Sequence, residues 1–212
     1  MMTVDGKDRG RGRLFVIAAP SGAGKTSLVK ALLKQRPELH VSISHTTRPI
    51  RPTEQEGREY FFVPVDEFKE LIGRDAFLEY AQVFDNFYGT GRKPVEAQLS
   101  QGKNVILEID WQGARLVRKA MPDCSSIFIL PPSRRALEDR LRKRQTDSEE
   151  VINRRLRDSI GDMSHWSEFD YVVVNEDFER AAADLVRIVD GQGADLAANR
   201  ESLKPLLAEL VG

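Results

Sequence analysis

The run APSGAGKT, residues 19–26, constrains this chain more than any other stretch of it. It follows the apolar run 14–18 and leads into an amphipathic stretch over 26–36, which predicts a glycine-rich turn between a strand and a helix. Gly22 and Gly24 can take backbone angles that strain other residues, so successive amide N–H groups can turn inward around phosphate oxygens. The start of the following helix adds partial positive charge there. Lys25 is then placed to reach the β- and γ-phosphates of a nucleotide, and the Thr26 hydroxyl to ligate Mg²⁺. Ala19, Pro20, Ser21, Gly22, Ala23, Gly24, Lys25 and Thr26 are the candidate contacts to that polyphosphate. The general pattern G-x-x-x-x-G-K-S/T has glycine where this chain has Ala19, a position that must suit a small L-residue. A turn with an incidental surface lysine would look similar in isolation, but the flanking strand and helix argue against it.

Composition narrows the setting without naming an activity. The 32 basic and 33 acidic side chains nearly cancel, giving no support to general nucleic-acid or membrane-surface binding. Cys124 is the single cysteine, so no intrachain disulfide or thiolate metal cluster is expected and a reducing cytoplasm fits. No apolar run approaches the roughly 20 residues that span a bilayer, and the start MMTVDGKDRGRGR lacks an apolar signal core. A soluble cytoplasmic protein is expected, with residues 1–12 as a mobile extension. Monomer and homo-oligomer both stay open.

Along the chain, short β-branched runs at 14–18, 104–109, 126–130 and 171–174 read as buried parallel strands. Helical patterns over 26–36, 94–101, 112–121, 134–144, 148–163 and 178–190 separate or follow them. This alternation predicts an α/β fold: a parallel sheet with helices on both faces and ligands beyond the strand carboxyl ends. Residues 45–93 break the rhythm with TTRPIRP, the extended EYFFVPV, a short helix near 66–72 and FLEYAQVFDNFYGT, predicting a small mixed α+β insertion with its own sheet. A last helix is expected over 201–211 despite Pro205. The run VILEID ends in Glu108 and Asp110, either of which could be the carboxylate that nucleotide-binding proteins of this loop class hold near Mg²⁺, directly or through water. Two residues apart on a strand, they are expected to share a face.

In this order, APSGAGKT, VSISHTTRPIRP, GREYFF, FLEYAQVFDNFYGT, LEIDWQGA and RLRKRQTDSEEVINRRL resemble the guanylate kinase family over nearly the whole chain. The resemblance implies the P-loop nucleoside monophosphate kinase fold, with a GMP-binding insertion and a helical lid. It also implies transfer of the γ-phosphoryl group of ATP to GMP or dGMP, with Mg²⁺. The expected divisions are an extension at 1–12, core at 13–44, insertion at 45–93, core at 94–133, lid at 134–165 and core at 166–212.

The acceptor chemistry can be read beside that resemblance. A nucleoside monophosphate has a second pKa of about 6 and is largely dianionic at neutral pH, so it needs no general base. His40, His45 and His165 are accordingly expected in surface or packing roles. The demand is to align two anions, which calls for positive charge. Arg48 and Arg51, held extended by Pro49 and Pro52, suit a phosphate clamp, and Tyr60 and Tyr88 add phenolic donors. Guanine offers N1–H and N2–H₂ donors and an O6 acceptor. The resemblance puts Glu79 against the donors, Ser44 and Thr90 near O6, and Asp110 on the nucleoside, with Glu108 sharing duties in a way the sequence leaves open.

Arg140 and Arg144, one helical turn apart, and Arg155 on the next helix are the expected lid arginines, completing a catalytic set with Lys25 and Arg48. Glu138–Arg142 and Asp139–Lys143 at i,i+4 equally describe a solvated charged face. Gln145 stands where many relatives have glycine. Asn175 matches a family position near the donor adenine, and a simple strand-end cap is the alternative. Two further readings remain: a noncatalytic scaffold-type module of the same fold, and a kinase for a phosphorylated sugar or another nucleotide. Lys25, Thr26 and the acidic pair argue against the first, and Glu79, Ser44 and Thr90 against the second.

Overall fold

β-Branched and aromatic residues concentrate where the chain pairs, and glycine, proline and aspartate where it turns. The computed structural model describes residues 10–83, 85–143 and 149–212. Its first half runs β1 (Leu14–Ala18), α1 (Lys25–Gln35), β2 (His40–Val41), β3 (His45–Thr46), β4 (Phe61–Phe62), α2 (Val65–Gly73), β5 (Phe77–Val83), β6 (Asn86–Gly91) and α3 (Arg92–Ser100). The second half runs β7 (Val105–Glu108), α4 (Trp111–Ala120), β8 (Ser125–Leu130), α5 (Arg134–Lys143), α6 (Glu149–Met163), β9 (Tyr171–Val174), α7 (Phe178–Val189) and α8 (Lys204–Val211).

Five strands form a parallel sheet in the order β2-β7-β1-β8-β9, with β1 at its centre. Alternating side chains sort its two faces. Phe15, Ile17, Ile106, Ile127, Ile129 and Val173 pack against Leu28, Val29 and Leu32 of α1 and Ala182, Leu185 and Ile188 of α7. On the opposite face Val16, Ala18, Leu107, Phe128 and Leu130 meet Val95 of α3, Val117 of α4, Leu137 of α5, Met163 of α6 and Leu207 of α8. The chain leaves β1 for one side of the sheet and reaches β8 on the other, so the turn after β1 lies at the switch point where such sheets bind ligands.

A second sheet, in the order β4-β3-β6-β5, is built from residues 45–91. Its strands β5 and β6 are an antiparallel pair that brings Glu79 opposite Thr90. A register shift between Phe77 and Glu79 breaks the alternation, so Phe77, Leu78 and Glu79 are all buried. Phe77 stacks on Phe68 of α2, Leu78 joins the main core, and Glu79 turns toward Thr90.

The ends of the elements refine the sequence expectations. α3 begins at Arg92 rather than Pro94, because proline is tolerated within a first turn whose N–H groups have no helical acceptor. It closes in a Schellman motif, with Gly102 left-handed and Lys103 N donating to Gln98 O over 3.1 Å. The expected strand 104–109 ends at Glu108, and Asp110 is not on it: its carboxylate caps α4 by accepting from Gly113 N at 2.8 Å. Glu108 and Asp110 are therefore not two same-face positions of one strand. Pro205 divides the expected last helix into a short 3-10 turn, Glu201–Leu203, and α8, where the proline sits in the first turn.

Leu185 is fully buried on α7, whereas Leu116 on α4 is 43% exposed. Leu185→Ala is expected to lower unfolding free energy by about 2–5 kcal/mol, and Leu116→Ala by no more than about 0.5 kcal/mol. Urea midpoints measure both; equal losses would contradict this placement of the core.

Candidate active site

The loop after β1 turns where two glycines permit it. Gly22 and Gly24 have φ of 89° and 98°, in the left-handed region. Gly24 caps α1, and a Cβ on it would lie 2.5 Å from Asn175 Nδ2. Under the loop, Asn175 Nδ2 donates to Ala23 O at 2.7 Å, Arg140 Nη1 donates to the same oxygen at 3.4 Å, and Ser159 Oγ donates to Ser21 O at 3.3 Å. Asn175 thus braces the loop from the end of β9, with 4% of its surface exposed. Ala19 is half-buried and Pro20 buried at the entry to the turn.

Lys25 and Thr26 open α1 and both reach the end of β7. Lys25 Nζ donates to Ile109 O at 2.6 Å, and the Thr26 hydroxyl donates to Glu108 Oε1. Burial pushes the Lys25 ammonium below its ordinary value, and the charges of Glu108, Asp110, Glu79 and Asp162 oppose that shift. Thr26 and Glu108 offer a hydroxyl and a carboxylate, hard oxygen donors of the kind Mg²⁺ takes together with phosphate and water. Among the described residues no cluster of three or more His, Cys, Asp or Glu forms a self-sufficient metal cage. A site completed by a nucleotide's own phosphates needs none.

On the second sheet a chain of hydroxyls leads to one carboxylate. Ser44 Oγ lies 3.3 Å from Thr90 Oγ1, which donates to Glu79 Oε1 at 2.6 Å. Glu79 is only 4% exposed. Burial, with the charge of Asp110, pushes its carboxyl up to about 7 against the Thr90 hydrogen bonds and the charge of Lys25. Burial likewise raises Asp110 above its ordinary value, opposed by the Gly113 N–H and Lys25.

The arginine-bearing segment before β4 is organised by Glu54. Arg48 Nη2 donates to Glu54 Oε1 at 2.8 Å and Arg51 N to Glu54 Oε2 at 2.9 Å, while the Arg51 side chain is exposed. The Arg48 guanidinium lies 5.5 Å from the Tyr60 ring centre, and the Tyr60 and Tyr88 rings meet edge-on at 5.8 Å. Burial works against the Arg48 charge, but Glu54 and the Tyr88 hydroxyl outweigh it and raise the group above its ordinary value. Burial lifts the Tyr60 phenol to about 12, with the negative charge of Glu108 acting in the same direction.

Arg140 on α5 reaches across to Asn175 O at 2.8 Å as well as to Ala23 O, so it already lies against the loop. With Gly22, Gly24, Ser27, Asn175, Glu176 and Phe178 it lines a cavity of about 290 Å³. Arg155 is half-buried one turn before Ser159 on α6, the residue that touches the loop. Arg144 and Gln145 lie outside the described residues. Arg142 pairs with Glu138 at 2.9 Å, the solvated face expected of α5. The Trp111 indole, at the start of α4, donates to Asp162 of α6 at 2.8 Å and stacks on His165 with ring centres 3.5 Å apart. His45 packs between Phe61 and Phe77 at 5.0 and 5.4 Å, a packing role like that of His165.

Lys25, Thr26, Glu108, Arg140 and Asn175 thus gather at the carboxyl end of the parallel sheet, Ser44, Thr90 and Glu79 form a second group that the bare Cα of Gly113 brings beside Asp110, and Arg48, Tyr60 and Tyr88 form a third. Arg51 reaches the group through its backbone. Glu54, Gly113, Ser159 and Asp162 also organise the site and were not singled out from the sequence. Only Gly113, a glycine at a helix start within LEIDWQGA, left a readable signal there; the others are common surface-type residues without diagnostic spacing.

A family model described as guanylate kinase matches residues 11–192. The guanylate kinase of Methylococcus capsulatus is 55% identical over 95% of this chain and 99% of its own length. That of Alkalilimnicola ehrlichii is 54% identical over 93% of this chain and 96% of its own. The crystal structure of guanylate kinase from Anaplasma phagocytophilum is 34% identical, covers 93% of this chain and 94% of its own, and superposes with a TM-score of 0.73. With the loop, the buried carboxylate and the arginine–tyrosine cluster in place on this fold, the chain belongs to the guanylate kinase family.

Proposed function

We propose that this chain transfers the γ-phosphoryl group of ATP to GMP, and to dGMP, giving ADP and GDP in the cytoplasm with Mg²⁺. Within the guanylate kinase family this reading is carried by one observation: a buried carboxylate, Glu79, held by Thr90 on a sheet that faces the Lys25 loop. A protein that only held polyphosphate would have no use for it. Guanine brings two adjacent N–H donors to such a carboxylate and O6 to hydroxyls such as Ser44 and Thr90, whereas adenine would present a lone pair. A site built on these bonds rejects an analogue lacking them by roughly 10⁴- to 10⁵-fold.

In this reading Arg48, Arg51, Tyr60 and Tyr88 hold the acceptor phosphate, whose own oxygen is the nucleophile. The loop N–H groups and Lys25 hold the donor phosphates, and Arg140, Arg155 and Arg144 offset charge as it spreads over the transferred group. Thr26 and Glu108, the latter directly or through water, would hold Mg²⁺, which would neutralise phosphate charge when bound. Asp110 contacts the nucleoside, and Asn175 serves the adenine side by bracing the loop beside it. Residues 45–93 are the acceptor domain, 134–165 the lid, and 13–44, 94–133 and 166–212 the core.

A coupled assay of ADP release with GMP, AMP, CMP and UMP tests the assignment. Turnover on GMP far above the others is expected, and none on any acceptor would sink it. Lys25→Ala is expected to lower kcat by roughly 10²- to 10³-fold in protein that keeps the wild-type fold by circular dichroism; wild-type turnover would remove the loop from the donor site. Glu79→Gln is expected to weaken GMP binding far more than ATP binding in calorimetric titration, and equal losses would refute the base-reading role.

Glu79 also sets a pH dependence. Its carboxyl is raised from an ordinary 4.5 to about 7, so the folded protein binds more protons than the unfolded chain between those values. Stability of the ligand-free enzyme should fall over that window as pH rises, by on the order of a few kcal/mol from this group. Glu79→Gln removes the effect. The variant should therefore gain on wild type from about pH 4.5 to about pH 7 and hold a constant lead above it. Parallel stability profiles would show that Glu79 does not titrate in that range.

A further inference from the structure

Gly113 sits in the third residue of α4, and nothing in its backbone demands glycine. Its φ is not among the positive ones, unlike those of Gly22 and Gly24. A glycine at such a place weakens a helix relative to alanine. Gly73 in α2 and Gly161 in α6, also helical, have nothing within 4 Å of the place a Cβ would occupy. At Gly113 a Cβ would lie 2.5 Å from Glu79 Oε2, 3.1 Å from its Cδ and 3.2 Å from Asp110 Oδ1. The missing side chain is therefore filled by the two carboxylates that the acceptor site uses.

We propose that Gly113 is a specificity-determining position of the acceptor pocket: its bare Cα is the surface that sets where the Glu79 carboxylate stands against the base. The inference rests on the reading of Glu79 given above. Glu79 is gripped from one side by Thr90 Oγ1 at 2.6 Å and bounded on the other by the Gly113 Cα. An added methyl group would drive the carboxylate away by about 1 Å before ordinary contact is restored. Because the atom displaced is the end of a side chain and not backbone, the fold can absorb the change. The recognition geometry cannot, since hydrogen bonds to two neighbouring N–H groups need both oxygens in place. Gly113 is a positioning residue in this account; it acts through Glu79 and touches no reacting atom.

The test is a double-mutant cycle of Gly113→Ala and Glu79→Ala, read by calorimetric Kd for GMP and for ATP and by thermal midpoint. In the wild-type background Gly113→Ala should raise the GMP Kd by roughly 10- to 100-fold and leave the ATP Kd unchanged. In the Glu79→Ala background its effect on GMP should largely vanish and the thermal midpoint should rise, because the 2.5 Å clash with Glu79 is gone, the 3.2 Å approach to Asp110 Oδ1 needs a shift of only a few tenths of an ångström, and alanine favours the helix. An unchanged GMP Kd for Gly113→Ala beside a selective GMP loss for Glu79→Ala overturns this inference alone. Glu79→Ala with no selective GMP loss overturns the base reading and the inference with it. If Gly113→Ala fails to fold, the midpoints of the Glu79→Ala pair decide: no gain from the added methyl group there would refute the clash.

Discussion

The donor loop is held from beneath, and the rest of the site depends on that support. Three side chains from three elements meet its carbonyl oxygens: Asn175 after β9, Arg140 on α5 and Ser159 on α6. A loop that aims its N–H groups at phosphate must leave its C=O groups pointing the other way, where burial makes each unpaired one expensive. Supplying donors there stabilises the turn that Gly22 and Gly24 permit. The same contacts tie α5 and α6 to the loop, so the helices that carry Arg140 and Arg155 are registered on it rather than merely adjacent to it.

Charge is arranged around that loop in a way that explains several perturbed groups together. Lys25 is the cation about which Glu108, Asp110, Glu79 and Asp162 gather, and each favours its charged form. Burial lowers Lys25 and raises Glu79, Asp110 and Asp162. Arg48 has its own counter-ion in Glu54, which fixes where the guanidinium stands.

The parallel core was legible because its signals are local. Runs of β-branched residues mark β1, β7, β8 and β9, and Gly102, Pro122 and Pro94 lie in or beside helix ends. The two-residue strands β2 and β3 were not, since pairings that short are decided by the neighbour and not by the residues themselves, whereas β4 falls within the stretch EYFFVPV read as extended. Asp110 shows the same limit: its spacing from Glu108 suggested one strand face, but the strand stops and the carboxylate turns to cap α4. In the site, residues tied to backbone geometry or charged clamps could be read from the motifs. Ser159 and Asp162 could not, because they act only across elements far apart in the chain.

Glu79 joins these threads, because its position is unfavourable in the ligand-free protein and favourable only in a particular complex. Burial alone would leave it protonated near neutral pH, and a protonated carboxyl offers one acceptor fewer to two N–H donors. Binding a base with paired donors therefore also draws the carboxyl toward its charged form, so selectivity and ionisation are one equilibrium. The bulge before Glu79, the hydroxyl of Thr90 and the bare Cα of Gly113 together bound that carboxylate. A base without those donors would leave the carboxyl in the protonated form that burial favours, and would forgo the charge-assisted hydrogen bonds that paired donors gain.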